Sequence, residues 1–467
     1  MINAENSGIV DQVFKAYDIR GLVEKELTPD FTFKVGCAFA NFLLLKNEPK
    51  NIVVGEDMRP SSKPLADAFS DGIISQGADV TRIGLASTDM LYFASGYLKL
   101  PGAMFTASHN PANYNGIKLC FSGARPIGKE SGLVDIAQQV IKESQNNSKI
   151  GNIFSQNLLE KYVDFLVSLV PALPKKENLD TRRLKIVVDA GNGMAGYTLP
   201  ALFDKLPFDL IPLYFELDGN FPNHEANPID PKNLVDLQKA VLSNQADLGL
   251  AFDGDADRCF LVDEKGNLIS PSSLTALIAK SELEKNPGAT IIYNLISSKI
   301  VPEIIEQYGG VALRSRVGHS YIKALMASNN AVFGGEHSGH FYFRDFFRAD
   351  SGALAALYAI AELANSQYSM SEIVKPYAKY FSSGEINIEI NPKVSIDNYL
   401  EKIAEVFEAG AELDRLDGLT VLLPQGWFNL RPSNTEPLLR LNIESANAQS
   451  VKELQAEVEK VITLMSR

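Results

Sequence analysis

The chain has 467 residues, so we expect it to fold as several domains rather than around one core. Hydrophobic residues make up 45% and charged residues 22% of the sequence, as is typical of a globular protein in water. The net charge of −13, without a basic stripe, argues against nucleic acid as the main partner, but a small anionic substrate would respond only to the cations nearest to it.

The beginning of the chain, residues 1–7, lacks a basic segment followed by an apolar one, so no signal peptide is predicted. The longest apolar stretch, around residues 38–45, is too short to cross a bilayer. The three cysteines, Cys37, Cys120 and Cys259, are widely separated and form no CxxC pair, which predicts neither disulfides nor a zinc site. We therefore expect a cytoplasmic protein.

Short β-type runs alternate with helical stretches in three successive cycles, which predicts β-α-β units with parallel strands. The first cycle has predicted strands at 52–55, 80–83 and 103–105 and a helix at about 63–76. The second has strands at 185–189, 210–211 and 248–252, with a Gly-rich turn at 191–193 and a helix after it. The third has strands at 290–293 and 331–333 and a helix near 300–308.

The last strand of each cycle leads directly into an unusual polar segment. These segments are Thr-Ala-Ser-His-Asn-Pro at 106–111, Asp-Gly-Asp-Ala-Asp-Arg at 253–258 and Gly-Glu-His-Ser-Gly-His at 335–340. Ligands of open α/β sheets bind beyond the carboxyl ends of strands, so three domains that share one cleft are predicted. The alternative, a repeated sheet with incidental turns, is less favoured because the three segments carry complementary chemistry.

From about residue 383 the pattern changes to that of an α+β module with an antiparallel sheet. Residues 385–390 alternate between polar and apolar side chains, as a half-exposed strand does. The further predicted elements are a helix near 397–409, strands at 419–423, 427–430 and 438–443, and a helix at about 448–465. We expect a hinge at 376–384, before this module.

Ser108 stands where a strand end would present its hydroxyl group. A serine hydroxyl is a poor nucleophile, so it needs a base, a metal ion or a phosphoryl group already attached. No GxSxG segment surrounds it, which argues against an acyl-transferring hydrolase. An ordinary turn serine is the alternative interpretation. Lys118 would supply a cation near this turn, or it is a surface lysine.

Asp253, Asp255 and Asp257 alternate with small residues, so an extended backbone would point all three carboxylates the same way. Three hard oxygen donors suit Mg²⁺, and together with a serine they suggest a phosphoryl carrier. An EF-hand is excluded, because it needs glycine where Arg258 stands and helices rather than strands on both sides. The other alternative is a solvent-exposed acidic turn, but the three carboxylates would then repel one another with no evident interaction to offset the repulsion. Arg258 could hold a phosphate oxygen through its planar fork.

Glu336 and Ser338 place an acceptor and a donor on one loop, which suits neighbouring sugar hydroxyls. His319, His337 and His340 are candidate proton carriers, because histidine titrates near neutrality. A loop histidine is often only a hydrogen-bonded polar residue, and this interpretation is favoured for His337.

The segment 431–437, Arg-Pro-Ser-Asn-Thr-Glu-Pro, is rich in phosphate ligands, and Arg440 follows it. Two guanidinium groups, two hydroxyls and an amide can surround a dianion, with backbone N–H groups completing the site. A polar β-turn is the alternative, but the two arginines favour phosphate. No GxxxxGK[ST] segment occurs, so a P-loop nucleotide enzyme is excluded.

These four segments, in this order, resemble the motifs of the α-D-phosphohexomutase family, and the resemblance covers essentially the whole chain. Phe-Lys-Ala-Tyr-Asp-Ile-Arg-Gly at 14–21 is similar to the opening motif of the family. The resemblance implies an α/β fold of three related domains with mixed, mainly parallel sheets and a C-terminal α+β domain around a central cleft. In this sequence we place the four domains at 1–153, 154–263, 264–378 and 379–467.

The resemblance also implies roles for individual residues. Ser108 would be the phosphoserine and would hold Mg²⁺ together with Asp253, Asp255 and Asp257. Glu336 and Ser338 would bind sugar hydroxyls. The residues that would anchor the non-reacting phosphate are Arg431, Ser433, Asn434 and Thr435, with Arg440 nearby. The residues that would line the cleft, with acid and base duties open among them, are Tyr17, Arg20, Lys118, Arg258, His319 and His340.

Family members move a phosphoryl group between the 1- and 6-positions of a hexose through a bisphosphosugar, and hexose 1,6-bisphosphate serves as activator and intermediate. The loop at 335–340 and the following 341–346 resemble phosphomannomutase-type members most, which implies mannose phosphates as substrates. No protein partner is expected.

Alternative functions remain open at this point. Mannose and glucose differ only at the 2-hydroxyl, so a phosphoglucomutase or dual-specificity mutase is one alternative. However, residues 294–297 lack the lysine that some dual-specificity members carry there. Phosphoglucosamine mutase, a metal-dependent sugar phosphatase and a non-catalytic sugar-phosphate-binding protein are the others.

Overall fold

The structure is a computed structural model that describes residues 4–142, 150–176, 182–391, 394–432 and 438–466. The chain forms two compact units. The first comprises Met1–Pro271 and Ser338–Ile373, and the second Ser272–His337 and Val374–Arg467.

The first α/β module, in the first unit, is built on a mixed sheet. Its elements are α1 (Ala4–Val13), β1 (Ile19–Leu22), α2 (Pro29–Leu45), β2 (Asn51–Glu56), α3 (Ser62–Ser75), β3 (Asp79–Leu85), α4 (Thr88–Leu98), β4 (Gly102–Phe105), β5 (Tyr114–Phe121), β6 (Arg125–Pro126), α5 (Val134–Lys142) and β7 (Ile153–Ser155). Strand β2 is parallel to β3 and β4, and β3 is parallel to β7. Strand β5 runs antiparallel to β1, β4 and β6.

Helices α2 and α3 cross at two glycines that allow their backbones to touch. A Cβ atom at Gly36 would lie 2.2 Å from the carbonyl oxygen of Phe69, and one at Gly72 would lie 2.1 Å from that of Phe33. Helix α2 begins at Pro29, directly after Thr28, whose hydroxyl accepts the third N–H of the helix. The buried residues of both helices pack with the sheet in one apolar core.

The second α/β module, also in the first unit, places the aspartate segment on a hairpin. Its elements are α6 (Leu159–Leu169), β8 (Lys185–Asp189), α7 (Ala195–Phe203), β9 (Asp209–Leu213), α8 (Val235–Asn244), β10 (Leu248–Phe252), β11 (Cys259–Asp263) and β12 (Leu268–Ile269). Strand β8 is parallel to β9 and β10, whereas β11 runs antiparallel to β10 and β12. Residues 253–258 therefore connect two paired strands.

The third α/β module begins in the second unit, and its last elements lie in the first. Those in the second unit are α9 (Pro271–Lys285, beginning at the boundary), β13 (Thr290–Asn294), α10 (Ile300–Gln307), β14 (Val311–Ser315), α11 (His319–Ser328) and β15 (Phe333–Gly335). Strand β13 is parallel to β14 and β15. Those in the first unit are β16 (Phe341–Phe343), the antiparallel β17 (Ala349–Asp350), α12 (Gly352–Ala364) and α13 (Met370–Val374, ending at the boundary).

The C-terminal module lies in the second unit and has an antiparallel sheet with the order β18-β22-β21-β20-β19. Its elements are β18 (Phe381–Glu389), α14 (Ile396–Phe407), β19 (Glu412–Asp414), β20 (Leu419–Leu423), β21 (Gly426–Pro432), β22 (Leu438–Ser445) and α15 (Ala448–Ser466). Apolar side chains of both helices and of the sheet form one core, including Tyr399, Phe428 and Leu454.

The predicted fold class is confirmed, with mixed sheets in the α/β modules and an antiparallel sheet at the C-terminus. The strands at 185–189, 248–252 and 419–423 begin and end as predicted. The strand predicted at 331–333 lies instead at 333–335, because the Ala331 N–H bonds to the Met326 carbonyl at the end of α11. The hinge predicted at 376–384 contains the beginning of β18 and remains a prediction.

All three cysteines are buried and none is in a disulfide. None of the helices in the described ranges has the length and apolar character needed to cross a bilayer.

Candidate active site

Ser108 lies in the loop that follows β4, with its side chain turned towards the aspartate segment. Its backbone has a φ of +50°, in the left-handed region, and its N–H donates to Thr106 Oγ1 at 2.9 Å. The Ser108 hydroxyl donates to Asp253 Oδ2 at 2.7 Å and lies 3.2 Å from His109 Nδ1. Burial, followed by the charges of Arg258 and Arg20, lowers the pKa of His109 well below its usual range. The imidazole is therefore neutral at neutral pH.

The three aspartates of the β10–β11 loop are buried and lie together. One carboxylate oxygen of each lies within 4.8 Å of those of the other two. Asp255 Oδ1 and Asp257 Oδ1 are buried and accept no hydrogen bond from the described residues. Buried carboxylate oxygens are costly without a partner, and hard oxygen donors at this spacing suit a divalent cation. The donor set therefore fits a magnesium ion.

Two basic side chains face the carboxylates. Lys118 Nζ, on β5, donates to Asp255 Oδ2 at 2.7 Å and to Asp257 Oδ2 at 2.6 Å. The Arg258 N–H donates to Asp253 Oδ1 at 3.2 Å, and Arg258 Nε lies 3.5 Å from Asp253 Oδ2. Basic groups thus offset part of the negative charge of the cluster.

Burial and neighbouring charges move the pKa values of this cluster in different directions. Burial, reinforced by the charges of Asp257 and Asp255, raises the pKa of Asp253 well above its usual value. Burial alone would also raise the pKa of Asp255, but Lys118 outweighs it and lowers that pKa. Burial would lower the pKa of Lys118, yet Asp255 and Asp257 hold it well above its usual range. Lys118 is therefore an ammonium group in this arrangement.

Arg20 and His340 also lie beside these loops. Arg20 donates to Asn110 Oδ1 at 2.5 Å, within the Ser108 loop, and Tyr17 precedes it as a half-buried residue. His340 Nδ1 lies 3.0 Å from Asp350 Oδ2 and 3.7 Å from Asp257 Oδ1. His340 also pairs with Arg258 through an antiparallel backbone bridge.

The predicted sugar-binding loop crosses the division between the two units, which falls between His337 and Ser338. In the second unit Glu336 is buried, and its Oε1 accepts the Gly318 N–H at 3.1 Å. Burial lowers the pKa of His337, so this histidine is uncharged at neutral pH. Ser338 is half-buried in the first unit. His319 is the first residue of α11, but its side chain lies outside the described part of the structure.

The two arginines of the predicted phosphate site are cross-strand partners on β21 and β22. Arg431 forms an ion pair with Glu385 Oε2, and Arg440 Nη1 lies 3.3 Å from Glu385 Oε1. Ser433, Asn434 and Thr435, predicted to complete the site, lie outside the described residues.

Three residues that support the site were not predicted individually. Thr88, at the beginning of α4, donates its hydroxyl to Asp255 Oδ2 at 2.6 Å, while Asp350 contacts His340 and Asn110 contacts Arg20. Asn110 belongs to a segment that the sequence singles out. Thr88 and Asp350 carry no local signal, because their partners are defined only by the fold.

Four family profiles match consecutive parts of the chain. They describe the phosphoglucomutase/phosphomannomutase alpha/beta/alpha domains I, II and III, at residues 11–147, 160–266 and 270–380, and the C-terminal domain of the same proteins, at 385–461. Together they span most of the chain in the order expected from its motifs.

Relatives and a solved structure agree with these profiles. Phosphomannomutases of Methanocaldococcus jannaschii and Escherichia coli K12 are each 39% identical, covering 96% and 97% of this chain and 97% and 98% of their own. A phosphoglucomutase/phosphomannomutase family protein from Burkholderia thailandensis is 31% identical, with a TM-score of 0.88 over 100% of this chain and 98% of that one. This chain therefore belongs to the phosphoglucomutase/phosphomannomutase family, and it has the four-domain architecture of these phosphohexomutases.

Proposed function

We propose that this protein interconverts mannose 1-phosphate and mannose 6-phosphate through a phosphorylated Ser108 and a bisphosphosugar. The observation that carries the proposal is the hydrogen bond from the Ser108 hydroxyl to Asp253, one of three clustered carboxylates. A nucleophilic oxygen beside a cation-binding cluster is suited to phosphoryl transfer. The phosphomannomutase relatives support mannose as the sugar.

In the first half of the reaction, the phosphoryl group leaves Ser108 for the free hydroxyl oxygen of a hexose monophosphate. The bond from phosphorus to Ser108 Oγ breaks and a bond to the sugar oxygen forms. The sugar hydroxyl proton passes to a base, and Ser108 Oγ takes up a proton from an acid. His340 is a candidate base because Asp350 holds its Nδ1 at 3.0 Å, which fixes the ring. His319 is the other candidate base, whereas Lys118, as an ammonium group, is a candidate acid. In the second half, the bisphosphosugar returns its other phosphoryl group to Ser108.

The carboxylates of Asp253, Asp255 and Asp257 would hold Mg²⁺ together with the phosphate of Ser108. When bound, the ion would neutralise negative charge on the phosphoryl group during its transfer. Lys118 donates to Asp255 and Asp257 and lowers the pKa of Asp255, which favours the ionised form that a cation ligand needs. Positioning and charge neutralisation, rather than covalent help from other side chains, would supply most of the rate enhancement.

The remaining predicted residues would bind the substrate. Glu336 and Ser338 would hold sugar hydroxyls, and Tyr17, Arg20 and Arg258 would line the path of the phosphoryl group. The set that would hold the non-reacting phosphate comprises Arg431, Ser433, Asn434, Thr435 and Arg440. Hexose 1,6-bisphosphate would phosphorylate Ser108 at the beginning and replace intermediate lost from the site.

The experiment that tests this proposal is ³¹P NMR of mannose 1-phosphate with the protein, Mg²⁺ and a trace of hexose 1,6-bisphosphate. We expect mannose 6-phosphate to appear. Ser108→Ala should lower the rate on the order of 10³-fold or more, because no oxygen remains to carry the phosphoryl group. Ser168→Ala, which removes an exposed serine of α6, is the matched control and should retain activity.

The other outcomes each contradict part of the proposal. Inorganic phosphate without mannose 6-phosphate would indicate a phosphatase. Conversion of glucose or glucosamine phosphates alone would contradict mannose as the substrate. Substantial activity in folded Ser108→Ala would remove Ser108 from its role.

A further inference from the structure

A buried arginine outside all four predicted motifs lies directly beneath the Ser108 loop. The Arg59 side chain is fully buried. Its Nη2 donates to the carbonyl oxygens of Ser108 at 2.9 Å and Asn110 at 2.7 Å. Its Nη1 donates to those of Pro111 at 2.9 Å and Tyr114 at 3.1 Å. One guanidinium group therefore binds three carbonyls of the loop that carries the serine and that of the first residue of β5.

The guanidinium group is itself held on several sides. Asp57 Oδ2 lies 3.3 Å from Arg59 Nε, and Asp57 Oδ1 accepts both the Arg59 N–H and the Ser62 hydroxyl. The ring of Phe221, from the second module, lies 5.0 Å from Arg59 Cζ, which is cation–π distance. Because the side chain is packed and paired in this way, its position is fixed before any substrate arrives.

The chemistry of the contact is specific to arginine. A guanidinium group offers five N–H donors in a rigid plane, whereas a lysine ammonium offers three from one point. Four carbonyl oxygens that converge on one place repel one another unless a cation with several donors lies between them. A buried carbonyl left without a donor is costly, so without Arg59 the loop should adopt another conformation.

We propose that Arg59 is a positioning residue, which holds Ser108 in the left-handed backbone conformation that directs its hydroxyl to the aspartate cluster. This inference rests on the proposed function, in which Ser108 carries the phosphoryl group. Arg59 acts only through the backbone of the loop. Losing it should therefore slow transfer to and from Ser108 more than it weakens substrate binding.

The test compares Arg59→Lys with Arg82→Lys. The control arginine lies on β3 and pairs with Glu56 at 2.7 Å and Asp67 at 2.6 Å, neither of which belongs to the Ser108 loop. For each variant we would measure kcat and KM for mannose 1-phosphate, the thermal midpoint, and the rate of Ser108 phosphorylation by hexose 1,6-bisphosphate from intact mass. All assays are run well below the lower of the two midpoints.

For Arg59→Lys we expect kcat to fall on the order of 100-fold, as small misplacements of reacting groups do, with slower phosphorylation of Ser108. KM should change by less than about threefold, because the contacts that bind the substrate equally in the ground state and the transition state are retained. Arg82→Lys should keep wild-type values of both. If Arg59→Lys does not fold, Phe221→Leu decides, because it removes the ring that packs against the guanidinium group and should lower kcat by about tenfold.

The inference would be overturned if Arg59→Lys folds and keeps the wild-type kcat and phosphorylation rate. If Arg59→Lys does not fold, a wild-type kcat in Phe221→Leu would overturn it. An equal loss in Arg82→Lys would also overturn it, because the effect would then be general destabilisation. Failure of the proposed function is distinguishable from all of these, since it would appear as activity in Ser108→Ala.

Discussion

Gly254→Ala adds one methyl group at the point where the aspartate segment touches the Ser108 loop. A Cβ atom there would lie 2.5 Å from the Ser108 carbonyl oxygen and 3.3 Å from its carbonyl carbon. Carbon and oxygen approach no closer than about 3.3 Å in ordinary weak contacts, so the two loops must separate by about 0.8 Å. In the sequence, the small residues between the aspartates allow the three carboxylates to point the same way. The structure shows in addition that position 254 has no room for a Cβ atom.

Neither side of this contact can withdraw easily. The Ser108 carbonyl is held by Arg59 Nη2 at 2.9 Å. On the other side, the Gly254 carbonyl accepts the Met194 N–H at 2.9 Å, and a Cβ atom at Gly193 would lie 2.7 Å from that same carbonyl oxygen. The displacement should therefore lengthen the 2.7 Å contact between Ser108 Oγ and Asp253. We expect kcat to fall on the order of 100-fold, with a stability loss of about 1–3 kcal/mol from overpacking.

The assay is conversion of mannose 1-phosphate at saturating Mg²⁺, with the thermal midpoint measured in parallel. Gly8→Ala in α1 is the control, because a Cβ atom there would meet nothing within 4 Å. It should leave kcat unchanged. Wild-type kcat in folded Gly254→Ala would refute the steric reasoning, and so would a rate loss that excess Mg²⁺ fully restores, because the defect would then be one of metal affinity alone.

Two further predictions concern buried carboxylates away from the reacting atoms. Burial raises the pKa of Asp89 to about 6, although the hydroxyls of Ser351, Ser87 and Tyr162 donate to it. The folded state therefore binds the Asp89 proton more tightly than the unfolded state does. The stability that this gives is complete below about pH 4 and is lost as the pH rises through 6. Asp89→Asn should gain relative to wild type by about 3 kcal/mol between pH 4 and 7 in thermal unfolding, and a pH-independent difference would contradict this. Glu444→Ala removes the acceptor of the Lys299 N–H and of Trp427 Nε1, each of which lies 2.9 Å from Glu444 Oε1. It should destabilise the second unit by about 2–4 kcal/mol. The control Glu453→Ala, at an exposed position, should change the unfolding of this unit little.

Local sequence pattern was sufficient for the strands that lead into the site. Leu248–Phe252 is five residues long and buried throughout, and it directly precedes Asp253, so an apolar run with an abrupt polar end marks both the strand and the loop. The same pattern did not reveal α4 or α12. Nearly every residue of α12 is buried, and a helix that is apolar on all sides lacks the 3.6-residue alternation that identifies an amphipathic one.

The contacts that position the chemical groups depend on distances along the chain that no local pattern encodes. Thr88 and Asp255 are separated by 167 residues, yet their side chains lie 2.6 Å apart. Arg59 follows an ordinary strand, and only the packing of the first sheet places it beneath residues 108–114. Candidate reacting groups are thus easier to identify from sequence than the residues that hold them in place.

The charge of the site also shows why overall composition is a poor guide to the substrate. The chain carries a net charge of −13, yet Arg20 contacts the Ser108 loop, Lys118 and Arg258 pair with the carboxylates beside it, and Arg59 binds its backbone. A phosphoryl group on Ser108 would add close to two negative charges beside three carboxylates. Such a group can be held there only if cations lie within a few ångströms, because charges beyond about 10 Å are largely screened at physiological ionic strength. The acidic remainder of the surface therefore does not oppose an anionic substrate, and under the proposed function the basic side chains nearest to Ser108 would offset the charge of its phosphoryl group.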